Sequence, residues 1–441
     1  MNISELRQSA KKIWEAALNA ANPATRIRNF VRVTGGLVSV AGKEMPIRGR
    51  LIVIGAGKAA ARMAQVIEEL LGKHITAGLV VTKYGHGLPL QRVQLVEAGH
   101  PIPDAAGVRG VQQTRELLKE LSADDIVLCL ISGGGSALWP APAEGVTLEE
   151  KQEVTSLLLR AGADIREINA VRKHLSSLKG GQLAKWAAPA RVISFIMSDV
   201  IGDPLDFIAS GPTAPDTTSF SDALGVVQKY GLRLPMAVID RFQQGARGGI
   251  ADTPKPGDPV FKNVDNHIIA NNQLLIEAAR AKARELKLNT LILGTEIEGE
   301  AKDAGRFFAA LAREIDRSGN PLKPPACILA AGETTVTVHG NGLGGRNQEM
   351  ALAWAISMAS RPPNRPSCFA SVATDGTDGP TAAAGGLVDP ATCSRAVERG
   401  LMPSKYLQRN DSFNFLNATG DLIVTGPTQT NLMDLQILLV A

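Results

Sequence analysis

Aromatic residues make up only 4% of the 441-residue chain, and cysteine occurs just four times. The thiols, Cys129, Cys327, Cys368 and Cys393, are far apart and form no Cys-x-x-Cys pair. That spacing excludes a disulfide framework and the usual zinc motifs. Three of them, Cys129, Cys327 and Cys368, lie in apolar, strand-like runs and are expected to be buried thiols in a reducing compartment. The net charge is a mild +4, and no run of five Lys or Arg occurs, so nucleic acid is not an expected partner. No stretch approaches the ~20 apolar residues of a membrane span. The opening segment, "MNISELRQSAKKIWEAALNAA", reads as an amphipathic helix with charges throughout and lacks the apolar core of a signal peptide. These absences lead to the expectation of a cytoplasmic protein with no membrane partner; a monomer or homodimer is expected, with the oligomeric state not given by the sequence. Ser-His-Asp groupings and HExxH motifs are missing as well.

What is present is an ordinary globular composition, 44% apolar and 20% charged, with 44 glycines. Its length suggests two domains. Apolar runs alternate with helix-period segments, the pattern of βα units and a mostly parallel sheet. In the first half the strands are "RLIVIGAG", "AGLVVTK", "VQLVEAG", "DIVLCLIS" and "RVISFIMSD". A Gly/Pro-rich stretch, "QQGARGGIADTPKPGDPVFKN", marks a boundary near residue 250. Beyond it come the strands "NTLILGTEIEG", "PACILAAGETTVTV", "SCFASVATDG" and "DLIVTGPT". The helix "AKDAGRFFAALAREIDRSG" places Phe307, Leu311 and Ile315 on one face.

In a parallel sheet, ligands bind beyond the carboxyl ends of the strands, and the polar, glycine-rich segments here follow strands. "GAGKAA" supplies Gly55, Gly57 and Ala60 of a Gly-x-Gly-x-x-Ala turn with Lys58 inside it. Such a turn offers N–H groups and a positive dipole end to an anion. A dinucleotide site also needs an acid at the end of the next strand, where Thr82 and Lys83 stand instead. NAD is thereby disfavoured; NADP stays open, as does a solvated helix-start role for Lys58. "LISGGGSALW" sets Gly133, Gly134 and Gly135 between Ser132 and Ser136, either an anion cradle or a tight strand-to-helix turn. "INAVRKHLSSLKGG" reads as a helix with Arg172, Ser176 and Lys179 on one face, either solvated or facing an anionic substrate. His174 has no ligand partner in sequence and reads as structural.

"SDVIGDPLDFIASGPT" places Asp199, Asp203 and Asp206 after a strand, where carboxylates serve Mg²⁺, a general base, or turns. In the second half Glu333 follows a strand, a hairpin is expected over "HGNGLGG", and Arg346 and Asn347 open a helix. An arginine fork there suits charge on a transferring phosphoryl group. "ATDGTDGPT" adds Thr374, Asp375 and Asp378, and "GPTQTN" ends a further strand. Glycine cradles, carboxylates at strand ends and two cations match the needs of phosphoryl transfer in a cleft between domains.

Together these motifs, with "VTKYGHG" and "EAGHPIPD", resemble the class II glycerate 2-kinases, whose C-terminal part is called MOFRL and whose members are often labelled hydroxypyruvate reductases. The resemblance runs from the first strand to the last. It implies an α/β fold with a Rossmann-like, three-layer N-terminal domain (1–250) and a smaller MOFRL-type domain with a mixed sheet (251–441). The active site would lie in the cleft between them. It implies ATP- and Mg²⁺-dependent transfer to the 2-hydroxyl of D-glycerate, with Lys58 and Arg346 catalytic and Asp199 as base or metal ligand. Gly55, Gly57, Ser132 to Ser136, Arg172, Lys179, Asp203, Glu333, Asn347 and Thr374 would bind substrate or nucleotide; Asp199, Asp375 and Asp378 are the expected metal ligands. The alternative is an NADP-dependent reductase of hydroxypyruvate or tartronate semialdehyde. Two positions depart from the family pattern: Gln429 where glycine is common, and Ala382 where aspartate is frequent.

Overall fold

The computed structural model describes residues 1–34 and 37–441, and the chain divides into two compact units, 23–269 and 1–22 with 270–441. In the first unit, β1 (Val31–Thr34), β2 (Leu37–Val40) and β3 (Lys43–Pro46) form a small antiparallel sheet. The main sheet is built from β4 (Leu51–Ala56), β5 (Ala77–Lys83), β6 (Gln94–Ala98), β7 (Ile126–Ile131), β8 (Arg191–Met197) and β9 (Val264–Ala270). Its order is β6-β5-β4-β7-β8-β9, and the pairs β4–β5, β4–β7, β5–β6 and β7–β8 are parallel. This is the doubly wound dinucleotide-fold order, with the chain reversing direction across the sheet between β4 and β7. β4 and β7 are buried along their whole length, as strands covered on both faces must be. The helix Ala60–Leu71 packs on β4 and β7, and the helix Ala105–Leu117 packs on β5 and β6.

The second unit has a mixed sheet of β10 (Asn289–Ile297), β11 (Ala326–Gly332), β12 (Ser367–Ala373), β13 (Gly385–Val388), β14 (Leu422–Ile423) and β15 (Asp434–Val440). The order is β10-β11-β15-β12-β13-β14. Only β10 and β11 pair in parallel; β15 runs antiparallel to both β11 and β12. The helices Ala301–Ser318 and Arg346–Ser360 pack with this sheet around Phe308, Trp354, Phe369 and Phe415.

The five first-half strands lie where the sequence puts them, but the units divide elsewhere than at residue 250. β9 completes the first sheet, so the chain stays in that unit through residue 269. The N-terminal helix, Ile3–Ala21, belongs to the second unit. Its apolar stripe of Leu6, Ala10, Ile13 and Ala17 is buried, and Arg7 pairs with the buried carboxylates of Asp389 at 2.7 Å and Asp421 at 2.9 Å. An Asn2/Glu5 capping box starts the helix, a device worth about 1 kcal/mol. In Ala301–Ser318 the buried stripe runs through Phe308, Ala312 and Ile315, while Phe307 is exposed. All four cysteines are buried and free, and burial raises each thiol's pKa. Among the described residues no helix is long and apolar enough to cross a membrane.

Candidate functional site

The two glycine turns of the first unit interlock where strand order reverses. After β4, Gly57 has φ +143°, and a Cβ there would lie 2.1 Å from Ser132 Oγ, so only glycine lets the turns meet. The Lys58 N–H donates to Gly133 O at 2.9 Å and the Ser132 N–H to Ala56 O at 3.2 Å. Ser132 Oγ accepts the Ala59 N–H at 3.0 Å. Ser132, fully buried, therefore holds the turns together. Gly55 lies within β4, beside Leu130. Gly134 is left-handed, and a Cβ on it would lie 2.9 Å from His100 Cδ2 and 3.5 Å from Lys58 Cγ. Gly134 thus separates Lys58 from a cavity of about 680 Å³.

His100, Gly134, Ser136, Lys151, Arg172 and Lys179 line that cavity. The helix expected to carry Arg172, Ser176 and Lys179 on one face ends at His174. Ser176 Oγ accepts the Leu178 and Lys179 N–H groups, a side-chain turn that competes with helix. Arg172 and Lys179 nonetheless reach the same cavity. Lys179 Nζ donates to Ser136 O at 2.8 Å and Trp139 O at 3.3 Å. Lys151, to which the sequence alone assigns no role, donates to Leu175 O at 2.8 Å and Arg172 O at 3.4 Å. Burial, reinforced by Arg172 and Arg241, pulls the Lys151 amine down to about 7. Burial also pulls Lys179 well below the usual lysine range, with Lys151 and Arg172 adding to it.

The segment after β8 closes the same region. Ser210 Oγ donates to Asn169 Oδ1 at 2.8 Å and lies 3.0 Å from Ser136 Oγ. Ala209 and Ser210, both left-handed at φ +50° and +61°, precede left-handed Gly211. Non-glycine residues pay about 1–3 kcal/mol each in such conformations, which persist where the surroundings over-determine them, often near functional groups. Asp199 is half-buried just beyond β8, and Asp203 has φ +55°. Asp206 pairs with Lys173. His174 is structural as expected, with Nδ1 2.7 Å from Ala170 O and Nε2 2.8 Å from Asp252.

In the second unit Arg346 opens the helix Arg346–Ser360 and is gripped by Asp434, the first residue of β15. Nε meets Oδ2 at 2.5 Å and Nη2 meets Oδ1 at 2.9 Å; Glu333 adds a contact at 3.1 Å. Burial lowers the guanidinium's pKa, but Asp434 outweighs it and the net shift is upward, so Arg346 carries a permanent charge. Glu333, Arg346, Glu349 and Asp378 line a cavity of about 580 Å³. The expected hairpin is absent: β11 ends at Gly332 and 333–345 runs without a strand. Asn410 and Asp411 hold it through the N–H groups of His339, Gly340 and Leu343.

Three expected ligand-binding residues are engaged inside this unit. Asp378 caps the Arg346 helix, accepting the N–H groups of Asn347 at 3.2 Å and Gln348 at 2.9 Å and the Gln348 amide at 3.0 Å. Burial and the Asp434 charge raise its carboxyl to about 6. These bonds engage both of its oxygens. Asn347 is buried between Asp378 and Ser371. Thr374 Oγ1 donates to Met433 O and accepts the Leu432 N–H. Both are buried and tie together the loops around Arg346. Asp375 Oδ1 accepts from the N–H and hydroxyl of Thr377. No group of three or more His, Cys, Asp or Glu among the described residues could hold a metal alone. Mg²⁺ in nucleotide sites takes only one or two carboxylates, with phosphates and water completing the shell, so one strand-end carboxylate suffices.

A doubly wound unit with cationic glycine turns at its strand reversal, followed by a mixed-sheet unit with a clamped arginine, defines a class of phosphate-handling α/β enzymes. Residues 9–243 match the family described as a domain of unknown function (DUF4147), and residues 326–434 match the MOFRL family. The D-glycerate 2-kinase of Thermotoga maritima is 46% identical over 88% of this chain and 90% of its own. The glycerate 2-kinase of Pyrococcus horikoshii is 42% identical over 99% and 98%. The crystal structure of a glycerate kinase from Thermotoga maritima superimposes with a TM-score of 0.86 at 42% identity, covering 99% of this chain and 100% of that one. The chain belongs to the class II glycerate kinase family, built from DUF4147 and MOFRL domains.

Proposed function

We propose that the protein is an ATP-dependent kinase that transfers a phosphoryl group to the 2-hydroxyl of D-glycerate, giving 2-phosphoglycerate and ADP. The observation that carries the reading is Lys58, a cation in the glycine turn at the reversal of strand order, next to a cavity with three further cations. The kinase names of relatives aligned along nearly the whole chain supply the acceptor and its position.

Phosphoryl transfer needs positioning and charge stabilisation more than covalent help from the protein. The turn N–H groups and the start of the helix Ala60–Leu71 favour phosphate oxygens, and Lys58 meets charge on the transferring group. Arg346, fixed by Asp434, offers its Nη1, which makes no hydrogen bond among the described residues, to the same charge. Asp199 is the proposed acceptor of the 2-hydroxyl proton. Mg²⁺, held by Asp199 or Asp375 together with phosphate oxygens, would neutralise the charge bridging the terminal phosphates.

Proton-coupled phosphorus NMR of the protein with D-glycerate, ATP and Mg²⁺ tests the reading. A new monoester doublet is expected, from phosphorus coupled to one CH proton. A triplet would mean transfer to the terminal CH₂ oxygen, and no new signal would end the kinase reading for this acceptor.

The Gly55, Gly57, Ala60 turn on a dinucleotide-type sheet favours the NADP reductase reading. Against it, Thr82 occupies the end of β5, buried, with its hydroxyl donated to Gly57 O at 3.1 Å, so that strand presents no acid to a ribose. Consumption of NADPH with hydroxypyruvate, without phosphoryl transfer, would reverse the choice.

A further inference from the structure

Lys173 and its neighbours respond to burial in opposite ways. Lys173 is 1% exposed and lies between two carboxylates, Asp206 at 3.0 Å and Asp216 at 3.1 Å. On the cavity side, Lys151 (6% exposed) and Lys179 (1% exposed) donate only to backbone carbonyls. Arg172 makes no side-chain hydrogen bond or ion pair among the described residues, although it is half-buried. Glu149 and Glu153 also line the cavity, yet neither forms an ion pair with these cations. A buried charge without a counter-charge costs several kcal/mol. Three around one cavity mark a place where an anion arrives from outside. Capping the helix Ile165–His174 explains the two Lys151 bonds, but it does not require Arg172 or Lys179 beside them.

We propose that this cavity is the polyphosphate subsite of the nucleotide, with Arg172 touching phosphate oxygens and the buried amines of Lys151 and Lys179 behind it. The choice of a nucleotide over the acceptor rests on the kinase reading above, and three observations favour it. A single carboxylate is satisfied by one arginine fork, whereas three cations match a polyphosphate. The volume of about 680 Å³ lies in the range of sites for molecules of nucleotide size and far exceeds a three-carbon acid. The rim carries Ile102, 70% exposed, and Leu159, 60% exposed, an apolar surface for a base and sugar. Gly134 then separates this subsite from Lys58 by only its own width, which lets a terminal phosphate reach the lysine.

The test is calorimetric titration of the full chain with a non-hydrolysable ATP analogue and, separately, with D-glycerate, comparing wild type and Arg172→Gln. The analogue's Kd should rise about tenfold or more and that of glycerate should stay within about twofold. A loss confined to glycerate would make the cavity the acceptor site, and no change in either would remove Arg172 from binding; both outcomes overturn the proposal. Inorganic tripolyphosphate titrated into wild type should compete with the analogue, so the idea stays testable if the variant misfolds; absence of competition overturns it. Transfer to glycerate alongside undiminished analogue affinity in Arg172→Gln would defeat the subsite alone. Arg172-dependent analogue binding without transfer would defeat the kinase reading alone.

Discussion

Arg346 and the cations around Gly134 solve the problem of burying positive charge in different ways. Arg346 has its counter-charges within its own unit: Asp434 on two of its nitrogens and Glu333 on one of them. Its position is fixed before any ligand binds. Lys151, Arg172 and Lys179 are left without carboxylates, and two of them have amines whose pKa burial has lowered. A clamped cation is preorganised, which is where electrostatic catalysis draws its strength. An unbalanced one destabilises the free protein and repays that in binding.

Breaking the clamped side should have the largest effect. Arg346→Ala is expected to cut turnover about a thousandfold and to cost about 3 kcal/mol of stability, because Asp434 would remain buried without a partner. Kinetics and urea unfolding read the two separately; a variant of normal stability would mean that Asp434 does not depend on Arg346. Next comes the adjacent pair on the helix Ile165–His174. Lys173→Met should lose about 3 kcal/mol, leaving Asp206 and Asp216 uncompensated, whereas Arg172→Met should unfold at the wild-type midpoint or above it. Equal losses in both would erase the distinction.

The pH dependence separates Asp378 from the other carboxylates. Its pKa in the folded chain, about 6, lies above the unfolded value. The folded chain therefore holds this proton more tightly, and the associated stability is lost as pH rises from about 4 to about 6. Asp378→Asn should flatten that part of the urea midpoint against pH; an unchanged slope would contradict a raised Asp378. The smallest effect is expected at Gln429, left-handed at φ +59° with a buried side-chain oxygen lacking a partner. Gln429→Gly should gain about 1 kcal/mol, measured as a rise in Tm, and a fall would show that the side chain supports the loop.

The resemblance implies glycine at that position, and its positive φ suits one. The first unit was legible because each of its early strands is an apolar run ended by a glycine turn, and the turn residues announce the site themselves. The second unit was less so. β15, at the centre of its sheet, is a short apolar run at the end of the chain with no turn after it. Asp434, which fixes Arg346, shows nothing in sequence beyond an acid ahead of apolar residues. Lys151 was hidden for a related reason. In a charged helix start it reads as solvated, and only the packing against Leu175 and Arg172 turns it inward. Asp378, Asn347 and Thr374 carry the residue types of a binding site, yet their bonds are spent on holding Arg346 and its loops. Sequence spacing identifies which groups gather; burial decides which remain open to a ligand.

The most direct test of the account is steady-state ADP release with D-glycerate by wild type and Lys58→Ala, alongside their thermal unfolding. Lys58 is only half-buried, and the account predicts a loss of about a thousandfold in kcat at an unchanged Tm. A near-normal rate in Lys58→Ala would contradict it, leaving the first glycine turn without a part in phosphoryl transfer.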